Sequence, residues 1–307
     1  MKAAVNKLGG GRKWSSSVRI PEPGPKQVLV RVVTASPNPI DYKISPMRPG
    51  VVAGQDAAGV VEKVGKEVRG LEVGDRVVSH AAGCMAEFVL CNVGCVAKLP
   101  ENWTFEQAAP LPTAYLSALQ GLRDHGKMKE GDKVLVVGAS GACGTAGVQL
   151  AKALGASEVV GVCSSRNVEL VKELGADRVV DYTSETILEV VGDDFFDVVF
   201  DSVGGYVAKV RPTMKKGAMY VALNGGAVSW IKSLTGLGGG TEKLMMARFP
   251  SRDIRTVIEL LDKTGARPHI GHLFKEFNFE EVERAYGMLK SHRTRGNLVL
   301  RINAAES

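Results

Sequence analysis

The sequence predicts an α/β protein in which a β-rich first third precedes a doubly wound parallel sheet. Two observations predict it. Short β-forming runs broken by Gly and Asp turns fill the chain from Met1 to about Leu111. From Lys133 onward, strand-like and helix-like stretches alternate, the pattern of parallel strands joined by helical crossovers. A third observation marks where that sheet begins. KVLVVGASGACGTAGVQLAKALGA, Lys133 to Ala156, opens with the β-formers Val134 to Val137 and continues with Gly138, Gly141 and Gly144 at three-residue spacing. A helical pattern then places Val148, Leu150, Ala151 and Leu154 on an apolar side. Strand, glycine turn and helix together can seat a dinucleotide pyrophosphate. Glycines let the backbone turn sharply and let phosphate oxygens approach the main chain. The first helical amides have no intrahelical acceptor and can donate to those oxygens.

The elements before the turn are short. Val28 to Val33 forms a strand, and Ser36 to Lys43 is a polar loop. Glycines bracket the alternating residues of Gly54 to Gly65, Val73 to Val78 turns into a strand, and Ala86 to Leu90 supplies another. Such a series implies a compact barrel-like domain. Ala108 to Leu122 reads as helical after Pro110 and Pro112. Past the turn, Val159 to Cys163, Arg178 to Tyr182, Asp197 to Asp201 and Ala218 to Leu223 supply strands, with a helix carrying Val168, Val171 and Leu174. Leu234 to Lys243, with its TGLGGG run, reads as a flexible loop. A helix beginning at Ser251 presents Ile254, Val257, Ile258 and Leu261 on one face. Asn278 with Glu281 has the form of a capping box ahead of Val282, Ala285, Tyr286 and Leu289. Asn297 to Ile302 is the last strand. The expected boundaries are 1–111 for the first domain, 112–249 for the parallel-sheet domain, and 250–307 for a return to the first.

A glycine turn that binds nothing would share the spacing of Gly138, Gly141 and Gly144. The next strand argues against it. Val159 to Cys163 ends about 20 residues on, where a ribose-reading residue belongs. There the chain reads Cys163-Ser164-Ser165-Arg166-Asn167, with no acid to accept from ribose hydroxyls. Serine hydroxyls and a guanidinium suit a 2′-phosphate, which a carboxylate would repel. The residues therefore point to NADPH rather than NADH. Ser164 or Ser165 could equally cap the following helix, a role compatible with phosphate binding.

Bulk properties exclude several classes. The 307 residues suit one large or two moderate domains, and a net charge of +6 is mild for that length. It suits an anionic cofactor, and no concentrated basic and aromatic strip marks a nucleic-acid surface. No apolar run approaches the roughly 18 residues of a membrane span. No signal or transit peptide is visible, so the cytoplasm is the expected location. The five cysteines, Cys84, Cys91, Cys95, Cys143 and Cys163, are odd in number and sparse, as reduced thiols are. Cys91 and Cys95 lack the second pair or His cluster that a zinc site needs.

An ordered set of short motifs carries a family resemblance. Asn38-Pro39-Ile40-Asp41, Gly54-Gln55-Asp56-Ala57-Ala58-Gly59-Val60-Val61, Val73-Gly74-Asp75-Arg76-Val77 and Ala108-Ala109-Pro110-Leu111-Pro112 come first. Gly138-Ala139-Ser140-Gly141, Asp181-Tyr182, Phe200-Asp201-Ser202-Val203-Gly204-Gly205 and Gly296-Asn297-Leu298-Val299-Leu300 follow. The whole chain resembles the zinc-free branch of the medium-chain dehydrogenase/reductases, that of quinone oxidoreductases (ζ-crystallin-like) and plant enone and 2-alkenal reductases. The resemblance implies a GroES-like β-barrel substrate domain completed by the C-terminal segment, an inserted Rossmann domain, and an active site in the interdomain cleft. It also implies a homodimer through the cofactor domains. Zinc-dependent relatives have Cys near position 38, His after Gly54 and a four-cysteine lobe. Here Asn38 and Gln55-Asp56 stand in those places and the lobe is missing.

Without zinc ligands, the implied reaction is hydride transfer from NADPH to a quinone, or alternatively to the carbon–carbon double bond of a 2-alkenal or enone. The protein must then stabilise charge developing on an acceptor oxygen. Asn38 and Lys43 are the candidate donors, with Thr113 implied near the nicotinamide. Lys43 stands where bacterial quinone oxidoreductases typically carry Tyr and enone-reducing relatives often carry Lys. Asp41 is expected to orient the loop. The resemblance assigns Gly138, Ser140, Gly141, Ala142, Cys143 and Gly144 to the pyrophosphate turn. Ser164, Ser165, Arg166 and Tyr182 fall to the adenosine phosphate, Asn224 to the nicotinamide side, and Val203 to the cofactor without a side. Arg293 reads as a surface charge. Two departures stand out: Ala142-Cys143 replaces the usual Gly-Val, and Ser45–Gly54 is short, which implies a more open pocket. A non-catalytic RNA-binding or structural ζ-crystallin-like protein is the remaining alternative.

Overall fold

The computed structural model describes residues 1–225 and 240–304. The chain divides into two units. The first comprises Met1–Thr113, Phe249–Thr256 and the segment from Pro268 onward; the second comprises Ala114–Arg248 and Val257–Arg267. The helix Ser251–Thr264 therefore begins in the first unit and ends in the second, so 257–267 leaves the segment expected to return to the first domain.

In the first unit, β1 (Ala3–Asn6) and β2 (Arg12–Ser15) pair as an antiparallel ribbon. Then come β3 (Gln27–Ser36), β4 (Asp56–Val64), β5 (Arg76–His80), β6 (Phe88–Asn92) and β7 (Val96–Lys98). β3 organises them. It lies antiparallel to β4 along nearly its whole length, and its first five residues also pair with β6. Irregularities at Leu29/Val30 and Val32/Thr34 break its register with β4. Such irregularities bend and twist a strand, as a barrel-like sheet requires. Val28, Val30, Val32, Ala57, Val61, Val77 and Val89 fill the core from the sheet.

The second unit is one parallel sheet. Its strands are β8 (Lys133–Val137), β9 (Glu158–Cys163), β10 (Arg178–Asp181), β11 (Phe196–Asp201), β12 (Met214–Ala222) and β13 (Glu242–Leu244). Their order is β10-β9-β8-β11-β12-β13. Counted from β8, that is 3-2-1-4-5-6, the doubly wound dinucleotide-binding order. The order reverses between β8 and β11, so the crevice beyond their carboxyl ends is where a ligand belongs. Leu135, Val137, Val160, Val162, Val180 and Val199 are buried in its core, as a sheet covered on both faces demands.

The chain then returns to the first unit with β14 (Ile270–Phe274), the helix Phe279–Lys290 and β15 (Asn297–Arg301). β15 pairs antiparallel with Ala35 and Thr34 of β3, which stitches the C-terminal segment into the first sheet. The Asn278 Oδ1 accepts from the Glu281 amide at 2.9 Å and caps the helix. Val282, Ala285, Tyr286 and Leu289 are buried on its inner face.

Three features escape local pattern. β13 is only three residues long and carries no strand signature. Leu111–Tyr115 and Gly121–His125 are π turns flanking the α-helical Leu116–Gln120, so this helix is wider at both ends than its sequence suggests. Met47 and Val51 of the short Ser45–Gly54 segment are exposed. That segment is nevertheless anchored to β1: Val51 accepts from the Asn6 amide at 2.9 Å, and the Ala53 amide donates to Ala4 at 2.8 Å. Residues 234–239 of the TGLGGG stretch lie outside the described residues. Among the described residues, no helix is long and apolar enough to cross a membrane.

Candidate functional site

In the second unit the glycine turn has the expected form. Gly138 closes β8 with φ +74°, a left-handed conformation that favours glycine. A Cβ there would lie 2.5 Å from Val203 Cγ2 and 2.7 Å from Ser202 Oγ, so the β8 and β11 ends meet at this glycine. At Gly144 a Cβ would fall 2.0 Å from the Gly138 carbonyl oxygen. At Gly141 it would meet only that oxygen, at 3.5 Å. Gly144 is thus needed for packing, whereas Gly141 faces open space where phosphate oxygens can approach. Gly141 is also the N-cap of the helix Ala142–Ala153, and no side chain caps it. An uncapped helix start with a glycine floor fits a pyrophosphate, whose oxygens would meet the amides around Ala142. Cys143 is half-buried in this first turn.

Two carboxylates hold the turn's surroundings, and local reading did not single them out as site residues. Asp201, fully buried at the end of β11, accepts from the amides of Val203 (2.9 Å), Gly204 (2.7 Å) and Tyr206 (3.2 Å), and from the Tyr220 hydroxyl. The phenol is pushed well above its usual range by burial and by this carboxylate. Asn224 donates to the Ser202 carbonyl at 3.1 Å, so it joins the same edge as Val203. Asn167, buried behind β9, donates through Nδ2 to Ser140 Oγ at 3.0 Å and reaches Ser164 Oγ at 3.4 Å. It ties the glycine turn to the end of β9. Asp181, at the end of β10, accepts from the Thr183 amide and hydroxyl. Ser165 and Arg166 are exposed in the turn that follows β9, and Tyr182 is 55% exposed.

In the first unit Asn38, one of the two expected donors, converges with Thr113 on one carboxylate. Asp56, at the start of β4, is completely buried and accepts four hydrogen bonds. They come from Asn38 Nδ2 (2.9 Å), the Thr113 amide (3.0 Å), Thr113 Oγ1 (2.9 Å) and His80 Nδ1 (2.9 Å). Asn38 also donates to the Ser36 carbonyl at 3.1 Å, so both its amide hydrogens are engaged. The Thr113 hydroxyl hydrogen is engaged too. Neither has a hydrogen left to donate to an acceptor oxygen in this arrangement; each holds its loop on Asp56. His80 stacks on Phe249 with ring centroids 3.5 Å apart, which fixes the plane of its ring. Lys43 lies exposed on the helix Pro39–Ile44 that Asn38 precedes.

Asp41 braces the same loop. Buried, it accepts from the Asn38 amide (2.8 Å), Gln55 Nε2 (3.1 Å) and the Tyr286 hydroxyl (3.1 Å). Arg12 lies over the Tyr286 ring at 3.7 Å and pairs with Glu283 at 2.7 Å. Burial pushes the Asp41 carboxyl up to about 6, against the lowering effect of these donors. A raised carboxyl binds its proton more tightly in the folded state. Its contribution to stability is therefore full below about pH 4 and lost as pH rises through about 6. Asp41→Asn should remove that slope, which amounts to roughly 3 kcal/mol at most. Urea unfolding between pH 4 and 7 measures it; an unchanged slope in the variant would locate the effect elsewhere.

A zinc ion does not fit here. Positions 38 and 55 carry neutral amides, and both Asp56 oxygens are already occupied by four donors. Among the described residues, no group of three or more His, Cys, Asp or Glu side chains is arranged to hold a metal.

Residues 24–101 match the alcohol dehydrogenase GroES-like domain, and residues 174–300 match a model described as zinc-binding dehydrogenase. The chain is 34% identical to 2-methylene-furan-3-one reductase of Solanum lycopersicum, over 94% of this chain and 75% of that protein. It is 32% identical to the chloroplastic NADPH-dependent alkenal/one oxidoreductase of Arabidopsis thaliana, over 98% of this chain and 79% of that protein. The chain belongs to the medium-chain dehydrogenase/reductase family. Among solved members, the quinone oxidoreductase of Coxiella burnetii superposes with a TM-score of 0.86 at 28% identity, over 99% of both chains. The quinone oxidoreductase of Sus scrofa is 38% identical over about half of each chain, 49% of both. In this family setting the first unit is the GroES-like domain and the second the nucleotide-binding domain of an oxidoreductase.

Proposed function

We propose that this medium-chain reductase uses NADPH to reduce an activated carbonyl compound, a quinone or an α,β-unsaturated carbonyl, without a metal. The observation that carries the reading is the pairing of an uncapped glycine turn at the β8–β11 switch point with Ser164 and Arg166 at the end of β9. NADPH, when bound, supplies the hydride. The chain's own residues bind and orient. Gly141 and the helix start receive the pyrophosphate, Arg166 and Ser164 face the adenosine phosphate, and Val203 and Asn224 border the crevice at the β11 end. In the first unit Asp56 holds Asn38 and Thr113, and Asp41 holds the helix that carries Lys43. Lys43 then donates to an acceptor oxygen as negative charge develops there.

Of the two acceptor classes, the α,β-unsaturated carbonyl has the better support. The two reductases that match this chain along almost all its length are named for enone and alkenal substrates. Lys43, rather than a tyrosine, is the donor carried by the helix Pro39–Ile44. The quinone reading rests on the fold match to quinone oxidoreductases. Initial rates of NADPH oxidation with an ortho-quinone and with a 2-alkenal, both in chelator, decide between them. Preferential alkenal turnover, reduced about 100-fold or more by Lys43→Ala, is the expected result. Quinone turnover that Lys43→Ala leaves intact would overturn the enone assignment. In the same preparation Arg166→Ala should weaken NADPH binding by roughly tenfold relative to NADH. Equal losses for both cofactors would remove the 2′-phosphate assignment.

A further inference from the structure

At the end of β9, the Ser165 hydroxyl is not a free donor. Its Oγ lies 2.9 Å from Thr183 Oγ1, and Thr183 Oγ1 lies 2.7 Å from Asp181 Oδ1. The direction of this chain follows from proton counting. An ionised carboxylate can only accept, so the single Thr183 hydroxyl hydrogen points to Asp181. Thr183 can then only accept from Ser165, and the Ser165 hydrogen points inward. Asp181 is held in place by a second donor, the Thr183 amide at 3.0 Å. Its register is equally fixed, because it pairs with Cys163 across the parallel β9–β10 ladder, two residues before Ser165. The hydroxyls of Ser165 and Thr183 hold the Asp181 carboxyl low, at about 2, so it stays ionised at any working pH.

The consequence concerns what Ser165 shows to a nucleotide. Outward it presents lone pairs, which accept from a ribose 2′-hydroxyl but repel the oxygens of a 2′-phosphate. We infer that Asp181 is a specificity-determining residue that restrains the preference for NADPH, by committing the Ser165 hydrogen inward through Thr183. Arg166 attracts the 2′-phosphate, and the Asp181–Thr183–Ser165 chain opposes it. The balance keeps NADH within reach of the site. The absence of an acid on β9 does not capture this, because the acid acts from the neighbouring strand. The inference rests on the reading of Ser164 to Arg166 as the adenosine-phosphate site.

A double-mutant cycle on binding tests it, using 2′,5′-ADP and 5′-AMP, which differ only by the phosphate in question. Calorimetric titration of Asp181→Ala should shift the affinity ratio toward 2′,5′-ADP by about tenfold. In the Ser165→Ala background the same change should shift the ratio by no more than about twofold. An equal gain in both backgrounds would overturn the inference, because the carboxylate would then act by charge alone. Asp181→Asn removes the charge and keeps an acceptor for Thr183, so its shift should be clearly smaller than that of the alanine variant. Equal shifts for asparagine and alanine would overturn the inference independently. Failure of the phosphate site itself reads differently: Arg166→Ala would then leave the affinity ratio unchanged, whatever Asp181 does.

Discussion

Gly144→Ala should abolish nucleotide binding and cost roughly 3 kcal/mol of stability. The new Cβ would meet Gly138 O at 2.0 Å, Gly138 C at 2.7 Å and Ala139 Cα at 2.8 Å. All three are backbone atoms of the strand-to-helix turn, so no side chain can swing aside. Relief requires the helix Ala142–Ala153 to move away from β8, which opens the buried contacts of Val148 and Leu150 and displaces the amides at the helix start. Gly141→Ala is the contrast. Its Cβ finds only one atom within van der Waals range. It should fold normally and lose affinity only through the methyl group placed where phosphate oxygens approach. Thermal unfolding and fluorescence titration with NADPH read both effects. Unchanged melting and unchanged affinity in Gly144→Ala would rule out this turn as the phosphate cradle.

Asp56→Ala should destabilise the first unit by about 3–5 kcal/mol and reduce activity more than any change at Asn38 alone. The carboxylate is completely buried and receives donors from Asn38, Thr113 and His80. Its removal leaves four hydrogens without their acceptor and releases two loops at once. Asp56→Asn is the sharper variant, because its shape is kept. One of its two polar atoms can no longer accept, so either the Asn38 and Thr113 amide pair or the His80 and Thr113 hydroxyl pair loses its acceptor. We expect a cost of about 2 kcal/mol, read by urea unfolding. A cost below about 0.5 kcal/mol would show that Asp56 does not organise these loops.

The same distinction separates what the chain shows locally from what folding brings together. The glycine turn, the strand before it and the helix after it were legible because one contiguous stretch makes all their contacts. Gly138, Gly141 and Gly144 are read by spacing, and the apolar faces of Ser251–Thr264 and Phe279–Lys290 by helical period. Asn278 caps its helix three residues away, and capping is equally local. The motif order also carried the two-domain architecture, since each motif marks a turn or strand edge that the fold must keep.

The candidate site was legible only by membership. Asn38, Lys43 and Thr113 could be named, but not what their hydrogens do. Asp56 reaches residues 38, 80 and 113 across separations of 18, 24 and 57 positions. No period or spacing in a sequence reports a contact over that distance. Ser165 looked like a phosphate donor when read along β9. Only the parallel pairing of β9 with β10 sets Asp181 and Thr183 beside it and turns its hydrogen inward. The sequence by itself determined most of the elements and where the glycine turn lies, because backbone preference and apolar periodicity are short-ranged. The tertiary structure alone decided which side chains still have a proton to give, because each hydroxyl or amide hydrogen can be spent only once and its acceptor lies on another strand.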